Sequence, residues 1–355
     1  MALRPSQRGI APDKEHAAAT GHEHRWPRVM TVVLNWQRPD ETLACVRSLL
    51  SLDYPAHSIV VIDNSAGAGG IESLLAGLPV DVVATTANLG FSGGVNLGLR
   101  HAEAAGADYA WLVNSDAVPT PGTLHRLVAA ADADPTVGLV SPVFCDPDAP
   151  DTPAFCLALL DTRTNETGAT NDMEMARRWL AERPDQVVLY GAALLVRTAL
   201  YRTIGGFDDR FFAYAEDTDY CIRCKNAGFR LLPCFDAIVH HRFKDWWAEA
   251  TPAYAHYFMA RNYILLMRKH SPRLLRGRPG IWFLRQQLLL IERLARHGPA
   301  QGAARLAGLW DGVRGIGGPY DPSRRAPWWL RWSLGQYPGA FINLLDRRLP
   351  WQRRR

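Results

Sequence analysis

The sequence predicts an α/β fold in which helices flank a mixed, mainly parallel sheet of the Rossmann-like type. In the N-terminal half, the β-branched run Val29–Asn35 is followed by apolar positions at helical spacing over 41–52 and then by Ser58–Ile62. A strand, a helix and a second strand within about 35 residues indicate a βαβ unit, whose crossover is right-handed. Since 48% of the 355 residues are hydrophobic, the chain can bury a large core.

The same alternation continues along the chain. The third and fourth strands are predicted over 80–85 and 109–113, with a helix over 94–105 between them. A helix over 122–133 and a strand over 137–143 follow. Continuous apolar strands of this kind are typical of parallel sheets that are covered on both faces.

The segment that follows the fifth strand is harder to interpret. Residues 146–171 are rich in Pro, Asp and Thr, and we expect an irregular loop that serves as a lid over a site. A helix is predicted over 173–182. The strand predicted over 186–197 is interrupted at Gly191-Ala192-Ala193, where small side chains leave room for a ligand. A short helix over 198–203 follows.

Polar residues follow the predicted strands at their carboxyl ends, where open α/β sheets bind ligands. Asn35 and Asp63 follow the first two strands, and Asn114-Ser115-Asp116 follows the fourth. Asp63 is suited to accept a hydrogen bond from a base N–H or a ribose hydroxyl; a turn or a helix cap is the alternative. Asp116 is suited to bind a divalent cation that bridges a diphosphate.

A glycine-rich segment, NLGFSGGVNLG, spans residues 88–98 at the entrance to a helix. Glycines at 90, 93, 94 and 98 allow the backbone to approach a ligand closely, and a tight turn is the alternative. The segment contains neither the GxGxxG pattern nor the Gly-Lys-Ser/Thr of a P-loop.

An acidic cluster lies further along the chain. Glu216, Asp217 and Asp219 come at the start of a helix that is predicted to be capped by Asp217 or Thr218 and to end near 227. A short strand over 237–239 then delivers a histidine pair. Together these groups indicate a site that handles a proton and a metal. Capping by solvated acids is the alternative, but it does not account for the neighbouring aromatic residues, which are Phe211, Phe212 and Tyr214.

The C-terminal region is predicted to be helical and is strongly basic. The chain carries a net charge of +5, yet residues 268–355 contain 18 Lys and Arg against 4 Asp and Glu. This favours an anionic partner, either a membrane surface or a phosphorylated acceptor, and a solubilising helical face is the alternative. The Trp and Arg residues from Trp328 onwards suit an anionic membrane interface, a contact with the domain, or a homodimer through the C-terminal helices.

Cysteine usage and hydropathy bear on localisation. The six cysteines are scattered, which suits a reducing compartment. Cys221 and Cys224 form a CxxC without a second pair, so we interpret them as buried hydrophobic residues and not as zinc ligands. No run reaches the roughly 18 apolar residues of a membrane span. We expect a cytoplasmic protein, with peripheral contact at the inner face of the membrane as a further option, and no nucleic-acid partner.

An ordered set of motifs over 29–245 resembles family 2 glycosyltransferases of the GT-A fold, in the bacterial rhamnosyltransferase-like branch. These motifs are VVLNWQRPDET, VVIDNS, NLGFSGGVNLG, WLVNSD, YGAALLVR, GGFDDRFFAYAEDTDYCIRCKNAGFR and AIVHH. The resemblance implies a GT-A domain over 28–250, with a nucleotide-binding half at 28–118 and an acceptor and catalytic half at 119–250. A disordered tail over 1–27 and a helical basic region over 251–355 complete the predicted organisation.

The resemblance also implies inverting, metal-dependent transfer from a nucleotide-diphospho-sugar. Asp217 is then the general base, with Glu216 and Asp219 supporting it. Asp116 and His240 hold Mg2+ or Mn2+, with His241 as the substitute for His240. The implied donor-binding residues are Leu34, Asn35, Trp36, Asp63, Asn64, Asn88, Gly90, Gly93, Gly94, Asn96, Asn114, Ser115, Gly191 and Ala192.

The motifs leave the substrates open. We expect a dTDP or UDP donor and favour a deoxysugar such as rhamnose, with a hexosyl or galactofuranosyl transferase as the alternative. The acceptor hydroxyl belongs to a lipid-linked cell-envelope glycan or to a small molecule. A nucleotide-sugar-binding module without turnover remains an alternative of a different class. A nucleotidyltransferase would require a basic activating loop near the N-terminus, which this sequence lacks.

Overall fold

The structure is a computed structural model that describes residues 25–67, 70–242 and 251–336. Most of the predicted N-terminal tail, and the Trp- and Arg-containing end over 337–355, lie outside the described residues.

Strands and helices alternate through the N-terminal half, as the sequence predicts. The strands are β1 (Val29–Asn35), β2 (His57–Asp63), β3 (Asp81–Ala84), β4 (Tyr109–Asn114), β5 (Ala117–Pro119), β6 (Val137–Asp146), β7 (Ala149–Phe155), β8 (Leu157–Leu160), β9 (Thr167–Thr170), β10 (Val187–Val188), β11 (Ala193–Arg197) and β12 (Arg230–His241). The helices are α1 (Pro39–Leu50), α2 (Ile71–Leu75), α3 (Gly90–Ala104), α4 (Thr123–Asp132), α5 (Met173–Glu182), α6 (Thr198–Ile204), α7 (Glu216–Asn226), α8 (Ala253–His270), α9 (Arg278–His297), α10 (Pro299–Arg314) and α11 (Trp328–Gln336).

The main sheet joins nine strands in the order β3-β2-β1-β4-β11-β6-β12-β5, with β7 beside β6. β1 to β4 run parallel to one another, whereas β11 is antiparallel to both β4 and β6. β12 is parallel to β6 and antiparallel to β5. β10, β8 and β9 form a small antiparallel sheet. The predicted α/β fold with flanking helices is therefore confirmed.

The two faces of the sheet carry separate hydrophobic clusters. Along β1, Met30 and Val32 pack on one face, whereas Val29 and Val33 pack on the other. Helices α3, α6, α7 and α8 cover the first face, and α1, α2 and α4 cover the second. Burying one Val, Leu or Ile side chain stabilises the fold by about 1.5–3 kcal/mol. Side chains on both faces of these strands therefore favour a sheet that is covered by helices on both sides.

The structure corrects the predicted loop over 146–171. β7 pairs with β6, and β8 and β9 form an antiparallel pair in the small sheet. The sequence did not predict β7 because its exposed polar residues hide the alternation of apolar and polar side chains that marks a strand. Pro153 can be accommodated because β7 lies at the edge of the sheet. The segment is therefore largely β structure.

Other element boundaries also differ from the sequence prediction. α3 begins at Gly90 and not at Gly94, and β12 extends over 12 residues where three were predicted. α7 begins at Glu216 after Ala215, which adopts φ 67° and makes no side-chain cap. The predicted cap at Asp217 or Thr218 is wrong, since both residues lie inside the first turn.

Helix α8 connects the C-terminal region to the main core. Its Leu266 and Met267 belong to the cluster that covers the first face of the sheet. α10 packs closely against α8, because a Cβ at Gly308 would lie 2.3 Å from the Tyr257 carbonyl oxygen. The boundary at 250 remains a prediction. None of the described helices is long and apolar enough to cross a bilayer.

The six cysteines are buried free thiols. Cys221 and Cys224 both belong to the hydrophobic cluster on the first face of the sheet. This supports the interpretation of Cys221 as a buried hydrophobic residue.

Candidate active site

The ends of β1 and β2 lie side by side and bring Asn35 against Asp63. Asn35 Nδ2 donates to Asp63 Oδ1 at 2.9 Å, and the Ser65 backbone N–H donates to the same oxygen at 3.1 Å. Among the described residues, no hydrogen bond to the other carboxylate oxygen, Asp63 Oδ2, is found. The carboxylate is therefore held through one oxygen, which leaves the second for a ligand.

Asn64 and Asn88 hold the glycine segment against the end of β2. Asn64 Nδ2 donates to Asn88 Oδ1 and to the Gly90 carbonyl, both at 3.0 Å, and Asn64 Oδ1 accepts from the Leu89 N–H at 2.8 Å. Asn88 Oδ1 also accepts from the Gly90 N–H at 2.8 Å. Their amides thus organise the loop at the entrance to α3.

The glycines of this segment lie against protein atoms. A Cβ at Gly94 would lie 2.4 Å from Leu34 Cδ1, and one at Gly98 would lie 2.1 Å from Val32 Cγ1. Gly90 has φ +72°, and a Cβ there would lie 2.5 Å from the Phe212 carbonyl oxygen. Gly94 and Gly98 thus allow α3 to approach β1 closely, and Gly90 allows the start of α3 to approach the segment that precedes α7. Contact with a donor remains a prediction for Gly90, Gly93 and Gly94.

Asn96 links α3 to the segment that precedes α7. Its Nδ2 donates to the Phe207 carbonyl at 2.9 Å and to Asp209 Oδ1 at 2.8 Å, while its Oδ1 accepts from the Phe207 N–H at 2.7 Å. The side chain is buried. The structure therefore shows a bracing role for Asn96, and its predicted contact with the donor is untested.

Asp116 meets a histidine at the end of β4. His241 Nε2 lies 3.3 Å from Asp116 Oδ1. The pairing of β12 with β5 causes this approach, because His241 lies opposite Ala117, the residue that follows Asp116. Successive strand residues point to opposite faces, so His240 is directed away from the face that His241 shares with Val239. The structure thus brings together Asp116 and His241, whereas the sequence analysis preferred His240.

The chemistry of this pair fits a hard divalent cation. One carboxylate and one imidazole are ligands that Mg2+ or Mn2+ accepts, and Asp116 is 34% exposed, so an ion can reach it. Across residues 25–67, 70–242 and 251–336, no group of three or more His, Cys, Asp or Glu is arranged as a metal site. A cation here would complete its coordination with substrate and water oxygens.

An aromatic wall surrounds His241. The rings of Phe144 and Tyr190 lie 6.0 and 5.9 Å from the imidazole in edge-on geometry. Burial, together with the negative charges of Asp217 and Asp116, raises the pKa of Tyr190. Its ring meets His241, and the N–H of the next residue donates to Asp217 Oδ2 at 3.1 Å, so Tyr190 connects the two parts of the site. The sequence analysis did not select it, although it directly precedes Gly191.

Asp217 is held by three hydrogen bonds in the first turn of α7. Its Oδ2 accepts from the Gly191 N–H at 3.1 Å, and its Oδ1 accepts from the Thr218 N–H at 2.6 Å and from Thr218 Oγ1 at 3.2 Å. A Cβ at Gly191 would lie 3.1 Å from Asp217 Cβ, so the absent side chain permits this approach. Burial raises the pKa of Asp217, and the three hydrogen bonds oppose the rise.

Glu216 occupies a different environment from Asp217. It is 7% exposed, and its Oε2 is buried without a hydrogen-bond partner among the described residues. Burial, followed by the charge of Asp217, raises the pKa of Glu216 well above its ordinary value. A hydrogen bond to a charged group contributes about 1.5–3 kcal/mol. The negative charge of the pair is therefore favoured on Asp217, and Glu216 is favoured in the neutral form.

Asp219 anchors α7 to α8 and does not face Gly191. It is fully buried, and it contacts Arg223 Nε at 2.8 Å and both Lys269 Nζ and His270 Nε2 at 2.7 Å. Burial alone would raise the pKa of Asp219, but the hydrogen bonds from His270 and Lys269 and the charge of Arg223 hold it below the usual range. Its supporting role is thus structural in this geometry.

The other predicted donor residues line the ends of the central strands. Trp36 is 41% exposed and meets Tyr254 of α8 at 6.5 Å between ring centroids. Asn114 and Ser115 are partly exposed, and the Asn114 N–H donates to the Ala192 carbonyl at 2.8 Å. That bond connects the end of β4 with the segment that carries Gly191. The residues predicted from separate motifs therefore lie along one edge of the sheet.

Comparison with known proteins agrees with this architecture. A family model described as glycosyltransferase like family 2 matches residues 27–254. The galactofuranosyltransferase GlfT1 of Mycobacterium tuberculosis is 30% identical over 224 residues, which are 60% of this chain and 69% of that protein. The N-acetylglucosaminyl-diphospho-decaprenol L-rhamnosyltransferase of the same organism is 29% identical over 235 residues, 60% of this chain and 76% of that protein.

A solved structure supports the fold. The mannosyltransferase PcManGT from Pyrobaculum calidifontis, in complex with GDP-Man and Mn2+, superposes with a TM-score of 0.53 at 19% identity and covers 93% of this chain and 88% of that chain. At this identity the likeness concerns the GT-A fold alone. Because the family model spans well over half of the sequence, the chain belongs to glycosyltransferase family 2 and is a glycosyltransferase of the GT-A fold.

Proposed function

We propose that the chain is an inverting, metal-dependent glycosyltransferase that moves a sugar from a nucleotide-diphospho-sugar to an acceptor hydroxyl. One observation carries the proposal. Asp217, a carboxylate held by three hydrogen bonds, accepts one of them from the Gly191 N–H; the preceding residue, Tyr190, packs its ring against His241, which lies 3.3 Å from Asp116. A direct displacement at the anomeric carbon requires a base and a diphosphate site close together, and here they would lie on either side of the loop over 190–192.

The donor would lie along the carboxyl ends of β1, β2 and β4. Asp63 Oδ2 would accept a hydrogen bond from the base or the ribose, and the exposed ring of Trp36 would pack against the base. Asn35 fixes Asp63 through its amide, and Asn114 and Ser115 would line the path to the diphosphate. The small side chains at Gly191 and Ala192 would leave room for the sugar.

Asp116 and His241 would hold Mg2+ or Mn2+ together with diphosphate oxygens. Such an ion would neutralise charge on the departing nucleoside diphosphate. The aromatic wall of Phe144 and Tyr190 restricts the position of His241 and excludes water from one side of it. His240 remains the alternative ligand only if β12 changes its register.

Asp217 would act as the general base. As the acceptor oxygen attacks the anomeric carbon, its proton passes to a carboxylate oxygen of Asp217 while the bond from the anomeric carbon to the diphosphate oxygen breaks. Attack from the side opposite the leaving group inverts the anomeric configuration. Because burial raises the pKa of Asp217, the carboxylate is a stronger base than an exposed aspartate.

The names of the relatives support a proposal for the sugar and the acceptor. One relative is named as a rhamnosyltransferase that acts on a diphospho-decaprenol lipid, and another as a galactofuranosyltransferase. We favour a deoxysugar such as rhamnose from a dTDP donor and a lipid-linked glycan acceptor. A UDP donor with hexosyl or galactofuranosyl transfer, a small-molecule acceptor, and a binding module without turnover are the alternatives.

Helix α11 would contact an anionic membrane surface from the cytoplasmic side. Trp328 and Trp332 are 72% and 56% exposed, and Arg331 between them is exposed as well. Exposed indole rings beside arginine are typical of helices that lie at a lipid interface. A homodimer through the C-terminal helices is the alternative.

The first test combines donor binding with turnover. Wild type should show a cation-dependent thermal shift with one of the dTDP, UDP or GDP sugars and should release nucleotide from it. Asp217→Asn should lower turnover by about 10²–10⁴-fold while donor affinity is kept. Asp53→Asn, a change at an exposed acid outside the site, is the matched control. Equal turnover in all three proteins would refute the base assignment, and no shift with any donor would refute the donor site.

A further inference from the structure

The segment that precedes Asp217 has an unusual backbone. Phe212, Tyr214 and Ala215 have φ values of 64°, 71° and 67°, in the left-handed region that favours glycine. Ala215 immediately precedes α7 and makes no side-chain cap. Nothing in the local sequence favours this conformation, so contacts from elsewhere must select it.

Helix α8 supplies those contacts through two adjacent side chains. Asn262 Nδ2 lies within hydrogen-bond distance of three carbonyl oxygens, those of Phe211 at 2.9 Å, Ala213 at 2.6 Å and Tyr214 at 2.7 Å. Arg261 Nη2 donates to the Phe211 carbonyl at 2.7 Å and to the Arg210 carbonyl at 3.0 Å. Both side chains are fully buried.

Arg261 is itself held rigidly. Its Nε donates to Asn262 Oδ1 at 2.8 Å, its Nη1 bonds to the Gly318 carbonyl, and its guanidinium lies 4.8 Å from the centre of the Phe258 ring. A planar guanidinium fixed on three sides presents its remaining N–H groups in one direction. Contacts within α8 and with Gly318 therefore hold the clamp, which we define as Arg261 and Asn262.

The same helix also holds the other side of Asp217. Lys269 and His270 contact Asp219, two residues beyond Asp217. α8 therefore fixes the backbone before Asp217 through carbonyls and the backbone after it through a buried carboxylate. A straight helix keeps these two contacts at a constant spacing, so the first turn of α7 has little freedom to move.

We propose that Arg261 and Asn262 are positioning residues for the reaction, which hold the loop over 211–215 so that the carboxylate of Asp217 faces the acceptor. The inference rests on the proposed role of Asp217 as general base. Neither side chain touches the reacting atoms; both act through the backbone that orients the base. An error of about 1 Å in the position of a catalytic group can lower the rate by about 100-fold.

Two variants test the clamp. Asn262→Ala removes the amide that contacts the three carbonyls, and Arg261→Lys keeps the positive charge but removes the planar array of N–H donors. Thr198→Val is the matched control, because it removes one buried hydrogen bond to a backbone carbonyl, at 2.8 Å, far along the chain from the clamp. We expect Asn262→Ala to lower kcat by about 100-fold with donor affinity kept, and Arg261→Lys to lower it less. The control should lose thermal stability and retain kcat.

Two further readouts separate positioning from a loss of stability. The titratable groups around Asp217 are Glu216, Tyr190 and Cys221. A loosened loop would admit water to Asp217 and lower its raised pKa, so the acid limb of the kcat profile should move to lower pH in Asn262→Ala. Amide hydrogen exchange over 211–219 should also accelerate in that variant and not in the control.

The outcomes are distinct. If kcat falls only in proportion to the unfolded fraction, with the acid limb and the exchange over 211–219 unchanged, the clamp is a stability element and the inference is refuted. If Asn262→Ala does not fold, Arg261→Lys carries the same three measurements. If wild type turns over no donor, the proposed function fails, while hydrogen exchange still decides whether the clamp holds the loop.

Discussion

Gly191→Ala tests the contact between the small loop and the base. The added Cβ would lie 3.1 Å from Asp217 Cβ and 3.4 Å from Asp217 Oδ2, so one of the two must shift by a few tenths of an ångström. The hydrogen bond from the Gly191 N–H to Oδ2, already 3.1 Å long, would lengthen or break. The substitution therefore removes one of three donors that favour the charged form of Asp217.

The size and the sign of the effect follow from this bond. A hydrogen bond to a charged group contributes about 1.5–3 kcal/mol, and one pKa unit corresponds to about 1.36 kcal/mol. Losing the bond disfavours the carboxylate, so the pKa of Asp217 should rise by about one to two units. The base is then protonated over a wider pH range, and the acid limb of kcat should move up by the same amount.

The assay is nucleotide release at saturating donor and acceptor across pH, with wild type and Gly168→Ala as references. A Cβ at Gly168 in β9 would lie 3.2 Å from Trp179, so this control introduces a steric contact about as close as the one at Gly191 but away from Asp217. At high pH the Gly191→Ala rate should approach that of wild type. A uniform fall in kcat at every pH, or an acid limb that moves down, would refute the reasoning.

Three further predictions follow from the site. His241→Ala should raise the Mn2+ concentration needed for half-maximal turnover, whereas His240→Ala should not, because only His241 lies 3.3 Å from Asp116; equal effects in a metal titration would contradict the placement. Asp219→Asn should destabilise the fold by about 1.5–3 kcal/mol in urea unfolding, since it removes the charged partner of Arg223 while Lys269 keeps Asp208; a loss below about 1 kcal/mol would contradict this account. Trp328→Ala with Trp332→Ala should weaken sedimentation with anionic liposomes, and unchanged sedimentation would rule out α11 as the membrane contact.

The pH dependence of stability should reflect the acids of α7 in opposite directions. The folded-state pKa of Glu216 is raised, so its contribution is present at low pH and is lost as pH rises through that pKa. The folded-state pKa of Asp219 is lowered, so its contribution is present at neutral pH and is lost as pH falls through that pKa. The summed contribution of these two acids is therefore greatest at mildly acidic pH, and urea unfolding of Glu216→Gln and Asp219→Asn across pH would measure each part.

The polar residues at the strand ends could be predicted because the pattern that marks them lies in adjacent residues. A run of β-branched residues followed by a polar residue places Asn35 and Asp63 at the same edge of a parallel sheet. The structure confirms their contact at 2.9 Å. The cluster of acids at the start of α7 could also be predicted, because Glu216 and Asp217 are adjacent in the sequence. The predicted cap at Asp217 or Thr218 is wrong, since Ala215 occupies the cap position.

The histidine that lies beside Asp116 could not be chosen from the sequence, because a shift of one residue in register reverses the faces of a strand. His241 is selected by the pairing of β12 with β5, a strand of three residues without a sequence signal. The glycines of 88–98 pose a similar problem. Close approach to a ligand and close approach of α3 to Val32 or Leu34 require the same residue, and only the position of the helix distinguishes them.

The contribution of α8 was out of reach for a different reason. Helical spacing predicts that a helix exists, but it does not say which loop the polar side chains will meet. Asn262 lies 45 positions beyond Asp217, and its three carbonyl partners become adjacent only after the sheet and α7 are in place. Residues that act on the backbone of another segment leave no motif in their own neighbourhood.

The energies of the clamp explain why the loop needs it. Three non-glycine residues in the left-handed region cost about 1–2 kcal/mol each, or about 3–6 kcal/mol together. Asn262 Nδ2 carries two hydrogens, so its three carbonyl contacts amount to two neutral hydrogen bonds of about 0.5–1.5 kcal/mol each. The two charged bonds of Arg261 contribute about 1.5–3 kcal/mol each, and the sum is enough to offset that cost. A chain that ended at residue 250 would retain Asp217, Asp116 and the nucleotide-binding half, and the Ser92 N–H would still donate to the Phe212 carbonyl, yet it would lose the five carbonyl contacts of Arg261 and Asn262 to residues 210–214. If Asp217 is the base, the catalytic geometry of the GT-A domain would therefore depend on a helix that lies beyond the predicted boundary at 250.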